Sequence, residues 1–245
     1  MVFGIIGGTG LSTFANLDIT RRQAVRTPYG EPSESLTFGR IAGKEIVFMA
    51  RHGNGHTIPP HLVNYRANLW ALKDQGVEAV VSIASVGGIR ADLGPGAIVI
   101  PHQVIDYTWG RKHTFFETGS SVTHIDFTAP YSEPLRQKIL TAAAACGETA
   151  GKAAVYAATQ GPRLETAAEI DRLERDGADV VGMTGMPETA LAREIEMDYA
   201  AIAVVVNHAA GRGDSRHAIH FGAIEGALRE AMIRVRRIIE TLVTT

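Results

Sequence analysis

The chain has 245 residues, of which 45% are hydrophobic and 20% charged, and its formal net charge at pH 7 is -2. A chain of this size can bury a sizeable core, and its near-neutral charge disfavours binding to nucleic acid or to an anionic membrane surface. Its lone cysteine, Cys146, cannot form an internal disulfide, and no stretch has the length and apolar character of a membrane span or a signal peptide. We therefore expect a single domain over residues 1–245, located in the cytoplasm.

Short β-branched runs alternate with longer amphipathic segments. In chain order, we predict strand Val2–Ile6, strand Glu45–Ala50, a helix from Pro59 to Gln75, strand Ala79–Ala84, strand Ala97–Pro101, helix Glu133–Cys146, strand Ala153–Ala158, helix Glu165–Arg175, strand Asp179–Gly182, helix Pro187–Glu196, strand Tyr199–Asn207 and a last helix from Ala223 to Leu242. Strands that are apolar throughout and alternate with helices predict an α/β fold, with a mostly parallel sheet covered by helices. Ligands of such sheets bind where the strands end.

Glycine is in excess, with 26 residues in the chain against a usual share of about 7%. The first glycine-rich segment after a predicted strand is Gly7-Gly8-Thr9-Gly10. Thr13 occupies the position of the third glycine of a dinucleotide-binding fingerprint, and no lysine of a phosphate-binding P-loop follows. Two interpretations stay open: a turn whose amides bind a phosphate, and a tight turn without a ligand.

Arg51 and His52 follow the second predicted strand. The forked guanidinium of Arg51 suits a phosphate, and His52 can donate a further hydrogen bond. A surface arginine beside a satisfied histidine is the alternative. The pairs His52/His56 and His217/His220 lack the flanking residues of a zinc motif, so we expect no metal.

Three further strand ends carry residues that have both a structural and a functional interpretation. Glu165 suits the first turn of a helix, Met183 suits the core, and Asn207 suits a turn after a strand. Each of them also lies in a segment that combines glycine with polar side chains, at 159–166, 181–188 and 205–211.

Taken together, these segments resemble the purine nucleoside phosphorylase family, and within it the methylthioadenosine phosphorylase branch. The resemblance covers Gly4–Leu11, Thr27–Gly30, Pro32-Ser33, Arg51–Pro59, Asn64–Asn68, Val86–Arg90, Gly161–Thr166, Met183–Glu188 and Ala203–Asn207. It implies a twisted mixed sheet that is partly barrel-like, and phosphorolysis of a nucleoside to a purine base and a ribose 1-phosphate. It also implies phosphate as a co-substrate, no metal or organic cofactor, and a homotrimer or a hexamer.

The resemblance assigns roles by position. The phosphate-binding positions hold Thr9, Arg51, His52, Thr184 and the Ala84-Ser85 pair. The methylthioadenosine branch has Thr-Ala at that pair, so the hydroxyl has moved by one position, and its contact is either remade by Ser85 or lost. Met183 matches a methionine under the ribose, Leu164 replaces a phenylalanine stacked on the base, and His124 matches a histidine that a neighbouring subunit lends to the 5′ end.

Base recognition depends on hydrogen-bond complementarity. Methylthioadenosine enzymes read the 6-amino group with an Asp-x-Asp pair, and this chain has Asn207-His208-Ala209 in its place. Asn207 can donate to a 6-oxo group and accept from N7-H. Glu165 lies where 6-oxopurine enzymes have a glutamate that accepts the N1 hydrogen. Asn207, with His52 at the phosphate, is the candidate catalytic residue.

The 5′ group is less constrained. The segments 160–166 and 207–211 are similar to those of bacterial enzymes that convert S-methyl-5′-thioinosine and phosphate to hypoxanthine and 5-(methylthio)ribose 1-phosphate. His220, or His217 in its place, matches a histidine that binds a 5′-hydroxyl, which suits inosine or guanosine; a solvent-facing histidine is the alternative. The remaining alternatives are a methylthioadenosine phosphorylase, an NAD-dependent oxidoreductase and an inactive purine-binding module.

Overall fold

The computed structural model describes residues 2–11, 17–117 and 122–245, so Thr13 lies outside the described residues. The described residues form a ten-stranded mixed sheet and five α-helices. The strands are β1 (Phe3–Gly7), β2 (Asp18–Gln23), β3 (Leu36–Ile41), β4 (Lys44–Ala50), β5 (Ala79–Gly88), β6 (Ile98–Val99), β7 (Gln103–Asp106), β8 (Val155–Ala158), β9 (Val180–Gly182) and β10 (Asp198–His208). The helices are α1 (Tyr65–Asp74), α2 (Glu133–Ala145), α3 (Ala167–Arg175), α4 (Gly185–Glu194) and α5 (Phe221–Thr244).

Strand β5 is the centre of the sheet. Its first four residues pair with β1, its last two pair with β9, and β10 runs parallel to it along its whole length. The order of the main sheet is β2-β3-β4-β1-β5-β9-β8-β7. Strand β10, which pairs with β5, also pairs with β6. Within the described residues, five of the nine strand pairings are parallel. The predicted α/β class with a mixed sheet is therefore confirmed.

The helices cover both faces of this sheet. Ile5 and Val81 point into a core that α2 and α5 complete, while their chain neighbours Ile6 and Val80 point into a second core under α1 and α4. Successive side chains of a strand lie on opposite faces. A strand buried on both faces is therefore apolar throughout, which is why the central strands could be predicted from composition alone.

Two helices begin later than predicted. Pro60–Leu62 forms a separate 3₁₀ turn, and α1 starts after Asn64, whose side chain accepts a hydrogen bond from the amide of Ala67 at 3.1 Å. Helix α3 starts after Thr166, which forms a capping box with Glu169. The expectation that Glu165 lies in the first helical turn is therefore wrong, because Glu165 precedes the cap.

Strands β2, β3 and β7 were not predicted from the sequence. Five of the six residues of β2 are exposed, so this strand has no apolar pattern to detect. It pairs antiparallel with β3, which pairs with β4 in turn. Among the described residues, no helix combines the length and the apolar character required to cross a lipid bilayer.

Gly88, at the end of β5, lies against another part of the backbone. A Cβ atom at this position would lie 1.8 Å from the carbonyl oxygen of Leu93. This distance is far below any van der Waals contact, so only glycine fits. Gly226 offers a contrast, because no atom beyond its chain neighbours and the adjoining backbone of α5 lies within 4 Å of a Cβ built at its position.

We predict that Gly88→Ala lowers the free energy of unfolding by about 3 kcal/mol, because the backbone of β5 or of the segment at Leu93 must move. The matched variant Gly226→Ala raises it by about 1 kcal/mol, because alanine favours a helix interior. Urea unfolding at one protein concentration measures both. Equal effects of the two variants would contradict the assigned contact.

Candidate active site

A cavity of about 490 Å³ lies where the central strands end. Segments that follow β1, β4, β8 and β9 line it, together with residues of β5 and β10. This volume is in the range of small-molecule sites, which is roughly 300–1,000 Å³. Eleven of the fourteen sequence-predicted site residues line the cavity: Thr9, Arg51, His52, Ala84, Ser85, Leu164, Glu165, Met183, Thr184, Asn207 and Ala209.

Hydroxyl groups collect at one end of the cavity. Ser85 lies on β5 with its Oγ 3.4 Å from the carbonyl oxygen of Thr9, so the structure keeps a hydroxyl at the altered Ala84-Ser85 pair. Thr184 is the N-cap residue of α4, yet its side chain makes no capping hydrogen bond. Its side chain lines the cavity, whereas the amides of Thr184 and Gly185 hydrogen-bond to the hydroxyl of Tyr156.

Arg51 contacts the same end of the cavity but is fully buried. Its Nε and Nη2 donate to the two carboxylate oxygens of Glu188 at 2.7 and 2.8 Å. Nη2 also donates to Ser82 Oγ at 2.5 Å, and Nη1 donates to the carbonyl oxygen of Ile83 at 3.0 Å. Sequence reasoning placed Arg51 correctly at the cavity but missed its partner. The sequence feature that could have indicated this partner is Glu188, a carboxylate among the apolar residues of α4.

Glu188 stays ionised in this surrounding. Burial alone raises the pKa of its carboxyl, but the charge of Arg51 and its hydrogen bonds outweigh burial, so the pKa lies below its usual value. The hydroxyls of Ser82 and Tyr199 also donate to Glu188 Oε1, at 2.9 and 2.7 Å. The pair is therefore a bidentate, fully buried salt bridge.

His52 is uncharged near neutral pH. Burial and the neighbouring charge of Arg51 lower its pKa to about 4. Its Nδ1 lies 2.8 Å from the carbonyl oxygen of Ile58 and must donate, since a carbonyl can only accept. The neutral ring thus presents Nε2 as an acceptor, which corrects the expectation that His52 donates a further hydrogen bond to a ligand.

Acceptor groups also line the cavity. Glu165 Oε1 accepts a hydrogen bond from Thr159 Oγ1 at 2.6 Å, and Oε2 has no hydrogen-bond partner among the residues that the structure describes. Asn207 Nδ2 donates to the carbonyl oxygen of His208 at 2.6 Å. A bulge between Val205 and Asn207 interrupts the regular alternation of β10, and Val206, Asn207 and Ala209 all line the cavity.

Three predicted residues do not line the cavity. His208 packs its ring against Gly94 and Gly213, and His124 is exposed. His220 is the exposed N-cap residue of α5 in an extended conformation. Its two chain neighbours are apolar.

Those neighbours, Ile219 and Phe221, line the cavity together with Ile224. Sequence reasoning missed this apolar wall because it followed the titratable residue at position 220. His217 is exposed and does not line the cavity either.

The described part of the chain holds no group of three or more histidine, cysteine, aspartate or glutamate side chains that could bind a metal ion. Cys146 ends α2, where its thiol donates to the carbonyl oxygen of Ala143 at 3.3 Å.

The sequence and the fold are both similar to those of known nucleoside phosphorylases. A probable S-methyl-5′-thioinosine phosphorylase from Pseudomonas syringae pv. tomato is 54% identical over 236 residues, which cover 96% of this chain and 95% of the relative. A 6-oxopurine nucleoside phosphorylase from Pyrococcus furiosus is 46% identical, over 84% of this chain and 79% of the relative. The crystal structure of methylthioadenosine phosphorylase from Schistosoma mansoni in complex with adenine superimposes with a TM-score of 0.94 at 32% identity, over 99% of this chain and 90% of that one.

A sequence model of the phosphorylase superfamily matches residues 2–244. This match spans nearly the whole chain and includes every segment that lines the cavity. The chain therefore belongs to the phosphorylase superfamily.

Proposed function

We propose that the protein catalyses the phosphorolysis of a 6-oxopurine nucleoside, S-methyl-5′-thioinosine, to hypoxanthine and 5-(methylthio)ribose 1-phosphate. One observation carries this proposal: one cavity is lined by the hydroxyl side chains of Thr9, Ser85 and Thr184 and by Glu165, whose Oε2 has no hydrogen-bond partner among the described residues. The first group suits a phosphate and the second suits the N1 hydrogen of a 6-oxopurine. The names of the similar proteins, which include probable S-methyl-5′-thioinosine phosphorylases and a 6-oxopurine nucleoside phosphorylase, support the same reaction.

The base end favours a 6-oxopurine over adenine. A 6-oxopurine presents a donor at N1 and an acceptor at O6, whereas a 6-aminopurine presents the reverse. Glu165 Oε2 can accept from N1, and the second amide hydrogen of Asn207 can reach O6. Ala209 cannot accept from an amino group. A mismatch leaves buried polar groups unpaired, which discriminates strongly between bases.

The reaction separates charge along the cavity. Cleavage of the glycosidic bond develops positive charge on the ribose and negative charge on the leaving base, and the phosphate then attacks the anomeric carbon. Thr9, Ser85, Thr184 and Arg51 hold the phosphate, and Asn207 stabilises the base at N7. Catalysis is then positioning and preorganised hydrogen bonding.

The 5′ end favours a methylthio group. Ile219, Phe221 and Ile224 line the cavity, whereas the exposed His220 does not. An apolar wall suits a thioether and leaves a hydroxyl without a partner. Phosphorolysis of inosine or guanosine is the second candidate, because the similar Pyrococcus furiosus protein is named a 6-oxopurine nucleoside phosphorylase.

The proposal includes the assembly and the location. Phosphate is the co-substrate, with no metal or organic cofactor and no nucleic-acid or membrane partner. A homotrimer, or a hexamer built from trimers, places the exposed His124 at a neighbour's cavity. The lone cysteine agrees with the reducing cytoplasm.

The direct test is one panel of inosine, guanosine, S-methyl-5′-thioinosine and S-methyl-5′-thioadenosine, each assayed for base release with and without phosphate. We expect phosphate-dependent release of hypoxanthine, with the highest kcat/KM for S-methyl-5′-thioinosine. Release from none of the four would overturn the proposed function. A preference for inosine would replace it with the second candidate.

We predict that the double variant Asn207→Asp, Ala209→Asp shifts the preference toward the 6-aminopurine, because two carboxylates accept from the amino group and repel O6. The ratio of kcat/KM for S-methyl-5′-thioadenosine to that for S-methyl-5′-thioinosine is expected to rise by about tenfold or more. Competition between the two nucleosides in one reaction measures this ratio. An unchanged ratio would show that these positions do not read the base.

We predict that Thr184→Val raises the phosphate KM by about tenfold, because a hydrogen bond to a charged group contributes about 1.5–3 kcal/mol. Thr184→Ser keeps the hydroxyl and is the matched control, with a phosphate KM close to that of the original protein. The nucleoside KM is expected to change little in either variant. Equal losses for valine and serine would argue against a hydroxyl contact.

A further inference from the structure

Glu188 is a buried carboxylate to which the proposed reaction assigns no role. It is 0% exposed, and its two oxygens accept four hydrogen bonds, from two nitrogens of Arg51, from Ser82 and from Tyr199. It does not line the cavity. Arg51 does line the cavity, so we expect Glu188 to affect a ligand through Arg51.

The salt bridge restricts what Arg51 can offer. Its Nε–H and both hydrogens of Nη2 are used by Glu188 and Ser82, and one hydrogen of Nη1 is used by the carbonyl oxygen of Ile83. One Nη1 hydrogen remains without a partner among the described residues. A Cβ atom on Gly8 would lie 3.2 Å from Nη1, so Nη1 lies beside Gly8, and both residues line the cavity.

The salt bridge also cancels the charge of Arg51. The other ionisable side chains that line the cavity are His52, His56 and Glu165. His52 is held neutral by burial and by Arg51, and Glu165 is acidic. Arg51 is therefore the sole permanent cation among the described lining residues, and its charge is balanced within 2.8 Å by a carboxylate.

We propose that Glu188 is a positioning residue that acts through Arg51: it fixes the guanidinium with one N–H toward the cavity and neutralises it, so that phosphate is held by neutral donors. This proposal rests on the proposed function, in which phosphate is a substrate. It changes the role of Arg51 from a free cation, as the sequence suggested, to a fixed hydrogen-bond donor.

A neutral phosphate site suits the chemistry. The negative charge of phosphate stabilises the positive charge that develops on the ribose. An unbalanced cation beside the phosphate would bind phosphate more tightly in the ground state. It would also weaken the stabilisation that the negative charge of the phosphate gives to the ribose. Tighter binding of the substrate alone does not accelerate the reaction, so such a cation would lower the phosphate KM and also kcat.

The test is Glu188→Gln, which keeps the size and one acceptor but leaves Arg51 unbalanced. We expect the phosphate KM to fall by about fivefold and kcat to fall by about tenfold, because the phosphate then faces an uncompensated charge. The nucleoside KM is expected to change by less than about twofold, since Glu188 does not line the cavity. General structural damage would not tighten phosphate binding. A phosphate KM that is unchanged or raised would overturn the proposal.

Glu194→Gln is the matched control. It makes the same substitution on the same helix, where Glu194 accepts a hydrogen bond from the amide of Phe115 at 2.7 Å and does not contact Arg51. Its phosphate KM is expected to stay within about twofold of the original value. An equal fall of the phosphate KM in both variants would contradict a specific role of Glu188.

The double variant Arg51→Met, Glu188→Gln removes both charges together, so it leaves no unpaired buried charge and is expected to fold even where Glu188→Gln does not. Loss of one hydrogen bond is expected to raise its phosphate KM by about tenfold. A rise of about a thousandfold would show that Arg51 acts as a free cation and would overturn the proposal.

A thermal shift with inorganic phosphate alone separates this inference from the proposed function. A ligand that binds more tightly stabilises the folded protein more. Phosphate is therefore expected to raise Tm further in Glu188→Gln than in the original protein, with or without turnover. An original protein that cleaves no nucleoside but shows this difference would refute only the proposed function. Turnover without this difference would refute only the role of Glu188.

Discussion

One buried salt bridge joins four elements around the cavity. The pair consists of Arg51, which follows β4, and Glu188 of α4. Ser82 of β5 and Tyr199 of β10 are hydrogen-bonded to this pair. Removal of one member of such a pair costs about 3–5 kcal/mol, because the other charge stays buried and unpaired. The four elements therefore have one favourable arrangement, and the donor end of the cavity depends on it.

This arrangement gives the cavity a direction. Around Arg51 the charges cancel and neutral donors remain, whereas Glu165, on a different segment of the cavity lining, keeps a carboxylate oxygen that has no partner among the described residues. A ligand with an anionic group at one end and a hydrogen-bond donor at the other can bind in one orientation alone. In the proposed reaction, that orientation places the ribose between the phosphate and the base.

The sequence was informative where one physical cause dominated. Apolar runs showed the central strands, because burial on both faces leaves no other composition. The cavity-lining residues follow those strands, so their positions could also be predicted. The polar strand β2 and the buried partner of Arg51 could not, because neither has a local pattern. Pairing across 137 positions, as between Arg51 and Glu188, is a property of the fold and not of any segment.

The side-chain direction at the 5′ end was the least accessible feature. A histidine in the cavity would favour a 5′-hydroxyl, whereas apolar residues there favour a methylthio group. Position 220 and its neighbours differ by one residue, so the sequence alone does not show which of them line the cavity. In the structure, position 220 is exposed and its two chain neighbours line the cavity. Titratable residues attract a functional interpretation, yet here the apolar neighbours define the site.

The glycines connect these observations. A Cβ on Gly7, Gly8 or Gly88 would lie 2.0, 2.4 or 1.8 Å from a backbone carbonyl oxygen, so each glycine brings two backbone segments into contact. Gly8 also lines the cavity beside Arg51. The two interpretations of the first glycine segment, a tight turn and a ligand-binding wall, are therefore compatible. Because this wall is backbone, a side chain at Gly8 would displace both the carbonyl of Ile83 and the guanidinium that it fixes, and would disturb the anion end of the cavity and the centre of the sheet at once.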